Sequence, residues 1–363
     1  MNFDRTRTLA PATKVLVVLA ALMAVPFTTM AAEPGSASRT DSAARIEYTL
    51  GDTAFTVPGF LDAEREKTAQ IELTAVVHHP PAMSGPRPVV MLAHGLWYSC
   101  AGETMGWPCP AGSQPTRSYT GYDYLAKELT EQGFVVVSVS VNGINAGELG
   151  PPADMARAAL VNRHLEMLRE ANDGKGPLAT QLRALRGNLD LANVGLMGHS
   201  RGGRGVVWQA ADTHAADLPR GVRLRAVLPL APADYHVSDP DSPEHLDYRI
   251  TQVPFAVIAG DCDGGAAMNR RTFAKNADGR NKVPFYEVDF SGANHNFFNS
   301  EWAYDNDTSC EPENSWSELE QQSATTRYIG SFFRYHMLGD ASAEDVVVNG
   351  FPGARVTRHQ PVS

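Results

Sequence analysis

Between the apolar run Val194–Met197 and a helical stretch ending near Ala211 stands Gly198-His199-Ser200-Arg201-Gly202. A serine flanked at two residues on either side by glycine, entered from a strand and left by a helix, suits nucleophilic attack. The turn must be sharp enough to push the hydroxyl above a sheet, and the glycines let strand and helix pack closely around it. The helix start then favours negative charge developing beside the serine. A tight structural turn would also fit the five residues alone; the strand–turn–helix setting is what argues for chemistry. A serine hydroxyl is a weak nucleophile, so such a site needs a histidine base, oriented in turn by a carboxylate.

The elements that would carry such groups alternate. Arg45–Val57 and Gln70–His78 read as antiparallel strands, and Pro88–Ala93 as a short strand buried on both faces. Tyr122–Glu131 has helical spacing, Phe134–Val141 is a further buried strand, and Asp154–Ala171 is a long helix with Leu160, Leu165 and Leu168 along it. Leu224–Leu230 and Pro254–Ala259 are strands, Val283–Phe290 is expected to be the last, and Ser315–Met337 closes with a helical pattern. This alternation predicts an α/β fold, a mostly parallel central sheet covered by helices on both faces. Residues 45–339 form the expected domain, and residues 340–363 read as a weakly patterned C-terminal tail.

Arg5, Arg7 and Lys14 precede the apolar run Val15–Phe27, and Thr29-Met30-Ala31 has the small residues of a cleavage site. The run falls short of the ~20 residues that span a bilayer. Residues 1–31 are therefore read as a signal peptide and 32–44 as a flexible lead-in, implying a secreted or periplasmic protein with no membrane span after processing. Losing that basic leader makes a chain of formal charge −10 two units more negative. So acidic a protein repels phosphate backbones, which argues against nucleic-acid partners. The 43% of hydrophobic residues suffices for a sizeable core rather than a long disordered chain. Four cysteines remain, an even number that suggests disulfides in an exported protein. Of three possible pairings, Cys100–Cys109, close in sequence, with Cys262–Cys310 is the expected one.

Gly-His-Ser-Arg-Gly-Gly, continued by Arg204, resembles the α/β-hydrolase family, in particular bacterial secreted esterases of the dienelactone-hydrolase-like, cutinase and polyester-hydrolase branches. The resemblance runs over roughly Arg45 to Met337. It implies the α/β-hydrolase fold, acyl-bond hydrolysis and a triad in the order serine, acid, histidine. Within Val257–Gly264 the implied acid is Asp263, three residues past the strand-end Gly260, with Asp261 as the alternative. The implied base is His295, in the loop after Val283–Phe290. Two backbone N–H groups would receive the oxyanion: that of Arg201, and that of Leu96 in His94-Gly95-Leu96-Trp97-Tyr98. The polyester-hydrolase branch also has clamps like a Cys262–Cys310 bridge.

Trp97, Tyr98, Tyr235, His236 and Trp302 are candidate substrate-binding residues, with Phe297 and Phe298 beside the base loop. Asp305–Glu311 offers oxygens at alternate positions, but Cys310 and Trp316 stand where a calcium loop would need glycine and glutamate, so no metal is expected. The expected activity is carboxylic-ester hydrolysis of a small or polymeric substrate through an acyl-enzyme, without a cofactor. A peptidase or amidase would use the same triad, and a non-catalytic binding protein could share the scaffold.

Overall fold

Val89, Val90, Met91 and Leu92 are all buried, as the apolar run around them requires. They belong to Arg87–Ala93 (β3), beside Val135–Val139 (β4), which is buried throughout. The computed structural model containing them describes residues 43–235, 242–302 and 309–363. Ala44–Thr49 (β1) and Thr74–His79 (β2) precede this pair; Leu189–His199 (β5), Leu224–Leu230 (β6), Phe255–Gly260 (β7), Phe285–Phe290 (β8) and Ala354–His359 (β9) follow it. The nine strands form one sheet in the order β1-β2-β4-β3-β5-β6-β7-β8-β9. From β4 across to β8 neighbours run parallel; β1, β2 and β9 add antiparallel edges. The fold is thus α/β with a mostly parallel sheet.

Alternate side chains along the parallel strands feed two cores. Val89, Met91, Val135 and Val137 face Leu160, Leu165 and Leu168 of Pro151–Asn172 and Val206 of Arg201–Ala210. Val90, Leu92 and Val136 face Leu125 and Leu129 of Asp123–Glu131 and Phe332 of Glu318–Phe333. Numbered along the chain, Asp123–Glu131 is α1, the single turn Asn142–Asn145 is α2, Pro151–Asn172 is α3, Arg201–Ala210 is α4, Arg270–Ala277 is α5, Glu318–Phe333 is α6 and Glu344–Asn349 is α7. Helices α3, α4 and α5 cover the first face, α1, α6 and α7 the second. The start of α6 is fixed by a capping box in which Ser317 and Glu320 satisfy each other's backbone N–H.

Several expected boundaries move. The first two strands are shorter than their hydrophobic runs, because the chain turns at Gly51, where φ is 123°, and Phe55 meets Ile71 only in an isolated bridge. Val283–Phe290 is not the last strand, and the weakly patterned tail after Gly339 is folded. Residues 340–363 belong to the same compact unit as the sheet and carry α7 and β9. Strand β9 pairs antiparallel with β8 from Phe290↔Ala354 to Phe285↔His359, and the His359 ring stacks on Phe285 at 4.1 Å. Being an edge strand, it buries little beyond Ala354, so its sequence has a weak apolar signature.

Both expected disulfides, Cys100–Cys109 and Cys262–Cys310, are formed. Among the described residues no helix is long and apolar enough to cross a membrane. The expected leader, most of the lead-in that follows it, and His236 lie outside the described residues.

Candidate active site

Ser200 is the single residue between β5 and α4, and its backbone turns through φ 55°, ψ −120°. A non-glycine residue in such a conformation stores about 1–3 kcal/mol of strain and persists only if its surroundings fix it. Here they do. The Ser200 N–H donates to the Leu230 carbonyl at 2.9 Å, and its own carbonyl accepts from Gly203 at 2.9 Å and Ala233 at 3.1 Å. The motif glycines are needed sterically: a Cβ at Gly198 would collide with the Gly202 carbonyl, and one at Gly202 with that of Ala93. Gly95 belongs to the same arrangement, since a Cβ there would lie 2.6 Å from that of Ser200.

Two loops at the same ends of the parallel strands carry Asp263 and His295. Asp263 follows β7, is fully buried, and its Oδ2 lies 2.8 Å from His295 Nδ1 in the loop after β8. The loops are joined by backbone bonds from Asp261 N–H to the Phe290 carbonyl and from Cys262 N–H to that of Ala293, each 3.1 Å. The exposed Asp261 has a different task, accepting the Gly292 N–H at 2.6 Å. The Cys262–Cys310 bridge starts between the two aspartates. Its sulfurs and Asp261 are the one close grouping of metal-ligand atom types among the described residues, and a disulfide supplies no thiolate.

From α6, the buried Gln321 grips the loop after β8 by donating to the Asn294 carbonyl at 2.8 Å and accepting its N–H at 3.0 Å. Beneath His295 lies the ring of His199, 4.9 Å away and 3.0 Å from the Tyr122 hydroxyl. Burial first, then the neighbouring His295 charge, push His199 well below the usual histidine range, so it is a neutral platform.

Ser200 and His295 open onto one cleft of about 820 Å³. On the Leu96 side, the Gly95 carbonyl is 2.8 Å from His94 Nδ1 and accepts Asn145 Nδ2 at 2.9 Å. His94 Nε2 accepts the Val141 N–H at 3.0 Å, so Nδ1 carries the proton; burial holds the ring neutral, lowering its pKa to about 3. Because a trans peptide points its N–H opposite its carbonyl, these bonds aim the Leu96 N–H away from His94 and Asn145. Among the described residues neither that N–H nor the N–H of Arg201 has an acceptor.

Asn145 is itself held by Arg157 Nη2 at 2.7 Å. Arg157 is fully buried and stands 3.7 Å from Asp154, which also receives Arg204 Nε at 2.8 Å and the Tyr248 hydroxyl at 2.7 Å. Burial lowers Arg157 to about 10 against the opposing pull of Asp154; burial likewise raises Asp154, countered by both arginines. Glu72 anchors the loop after β4 by accepting Ser140 Oγ and the Asn142 N–H, each at 2.6 Å, and the Gly143 N–H at 2.9 Å.

No family model matches the sequence, and neither does any curated protein.

The expected aromatic cleft divides. Trp97 and Tyr98 are half-buried, with Trp97 stacked on Trp302 at 5.2 Å. Trp302 is buried, continues the stack onto His199 at 4.9 Å and donates Nε1 to Ser118 Oγ at 3.0 Å, so it supports the wall from behind. Tyr235 is a core residue, stacked on Tyr248 at 4.2 Å with its hydroxyl donating to the Thr272 carbonyl, and presents no surface to the cleft. No local sequence signal marks Asn145, Arg157, Gln321 or Glu72. The nearest signal was charge: Asp154 and Arg204 stand at the starts of α3 and α4, where an ion pair can join two helices packed side by side.

Proposed function

We propose that the chain is an exported serine hydrolase of the α/β-hydrolase fold that cleaves carboxylic esters through an acyl-enzyme. The observation that carries the reading is the 2.8 Å pairing of His295 Nδ1 with the buried Asp263, on the cleft that holds Ser200 at a strained strand-to-helix turn. Nδ1 pairs with the carboxylate, and Nε2 is the ring nitrogen that takes the Ser200 proton in this reading.

Ser200 Oγ attacks the acyl carbon and the carbonyl π electrons move to oxygen. The N–H groups of Leu96 and Arg201 receive that oxyanion, and the Gly95 tether to His94 and Asn145 keeps the first of them in place before substrate arrives. Collapse of the tetrahedral intermediate expels the alcohol, which takes its proton from His295. Water, deprotonated by His295, then attacks the acyl-enzyme and releases the acid, restoring Ser200. Asp263 holds the imidazole tautomer and offsets the positive charge that forms on it. Export accords with the two disulfides and with the leader read in the sequence.

The test is hydrolysis of a p-nitrophenyl ester chain-length series by the mature protein and its Ser200→Ala variant. The wild type turns over at least one member, and Ser200→Ala lowers turnover by roughly a thousandfold or more with the fold intact. Equal turnover in a folded variant contradicts the mechanism.

A further inference from the structure

The cleft around Ser200 is cationic in a way the ester reaction does not use. Arg157, Arg201 and Arg204 line it together with Asp154 and Asp234. Arg204 and Arg157 have their charges engaged on Asp154, and Arg204 also donates to the Asp234 carbonyl at 2.9 Å. Arg201 is different. Its guanidinium is partly buried and has no hydrogen-bond or ion-pair partner among the described residues. It lies on the wall between this cleft and a neighbouring one of about 890 Å³ that holds Leu96.

On that neighbouring side Arg65 is paired with Glu148 at 3.4 Å and Lys67 with Asp62 at 3.9 Å, while Glu64 adds a carboxylate, so that side is not cationic. On the Arg157 and Arg204 side three guanidiniums face two carboxylates. Arginine stays charged when partly desolvated, and its planar fork matches a carboxylate. Such a group, one residue from the nucleophile and facing a cavity, attracts an anion to a fixed distance from the scissile bond. Among charges near it, Arg204 repels and Asp154 attracts, but the Asp154 oxygens are already taken by Arg204, Tyr248 and Arg157.

We infer that the cleft selects esters bearing a carboxylate within an arginine side chain's reach of the scissile carbonyl, the anion being held by Arg201 on the Arg157 and Arg204 side. This rests on the serine-hydrolase reading for its chemistry, though not for its anion site. Arg201 thereby has two separate tasks: its main-chain N–H faces the oxyanion, and its side chain sets specificity.

The experiment compares mono-p-nitrophenyl glutarate with its methyl ester, which has the same skeleton without the charge, reading p-nitrophenolate release. The wild type favours the anionic ester in kcat/KM by roughly 10- to 100-fold, the range of a charge-assisted contact. Raising the salt concentration shrinks that ratio in the wild type, a readout that needs no variant. In Arg201→Gln, whose main-chain N–H is retained, the ratio falls towards one, and Arg201→Lys restores part of it. A wild-type ratio near one, or a ratio unchanged in Arg201→Gln, overturns the inference while leaving the hydrolase reading standing. If neither ester is cleaved while the p-nitrophenyl series is, the inference is overturned; if the series is not cleaved either, the hydrolase reading fails, and calorimetry with glutarate then decides the anion site. Binding that weakens tenfold or more in Arg201→Gln supports the site, and absent or unchanged binding overturns it.

Discussion

At the scale of single residues, the two aspartates after β7 separate by what each touches. Asp263 is fully buried against His295, whereas Asp261 is exposed and accepts one main-chain N–H from Gly292. Asp263→Asn is expected to lower kcat by about a thousand- to ten-thousandfold, since an amide neither fixes the imidazole tautomer nor stabilises the imidazolium. Asp261→Asn keeps an acceptor for Gly292 and should leave kcat within a few-fold, at a stability cost of up to about 1 kcal/mol. Steady-state kinetics of both variants at matched thermal stability check the ranking, and a larger loss from Asp261→Asn would reverse the assignment. Ser200 was legible as the turn after an apolar strand, whereas Asp263 and His295 followed from the resemblance alone; the structure brings these two together. Asn145, Arg157 and Gln321 were not legible. They are polar residues whose meaning lies in partners far away along the chain, as Gln321 meets Asn294 across the packing of α6 on the base loop.

At the scale of elements, the site is an assembly of loops at one edge of the parallel strands, and the Cys262–Cys310 bridge ties the acid loop to the segment after the base loop. In the chain-entropy picture a bridge across 48 residues stabilises by about 4 kcal/mol and one across 9 by about 2.5 kcal/mol, before any strain. Cys262→Ser with Cys310→Ser should therefore lower the unfolding temperature more than Cys100→Ser with Cys109→Ser, as differential scanning calorimetry would register. The opposite order would mean that the longer bridge constrains the unfolded chain little. Buried strands such as β3 and β4 announce themselves because parallel strands covered on both faces must be apolar throughout. Strand β9 escapes such a reading: it is an edge strand whose Arg355 and Arg358 leave only Ala354 and Val356 to mark an inward face. Helix α5 is equally quiet, with Phe273 and two alanines as its apolar share of eight residues.

At the scale of the whole molecule, the fold encloses histidines that it keeps neutral. Burial takes His94 to about 3, with the Arg157 charge adding to the effect against the Gly95 bond; it takes His164 to about 3 as well, helped by the Arg163 charge. In the unfolded chain both titrate near 6.5. Above that pH their contribution to stability is complete; as pH falls through the interval from about 6.5 to about 3 the unfolded state takes up protons that the folded state refuses, and stability is lost. Each histidine contributes a slope of up to about 1.4 kcal/mol per pH unit there. Glu72 and Asp154, raised by burial, act in the opposite sense, because their contribution is lost as pH rises past the usual carboxylate range. Urea unfolding at pH 7.5, 6 and 5 should show midpoints falling with pH, and a midpoint constant or rising towards pH 5 would contradict this account.

The central claim, that the fold activates Ser200, is tested most directly by a fluorophosphonate probe followed by peptide mapping. The folded protein should be labelled at Ser200 alone and close to one probe per chain, with labelling lost on denaturation and strongly slowed by His295→Ala. A folded protein that takes no label, or takes it at another residue, would contradict the account.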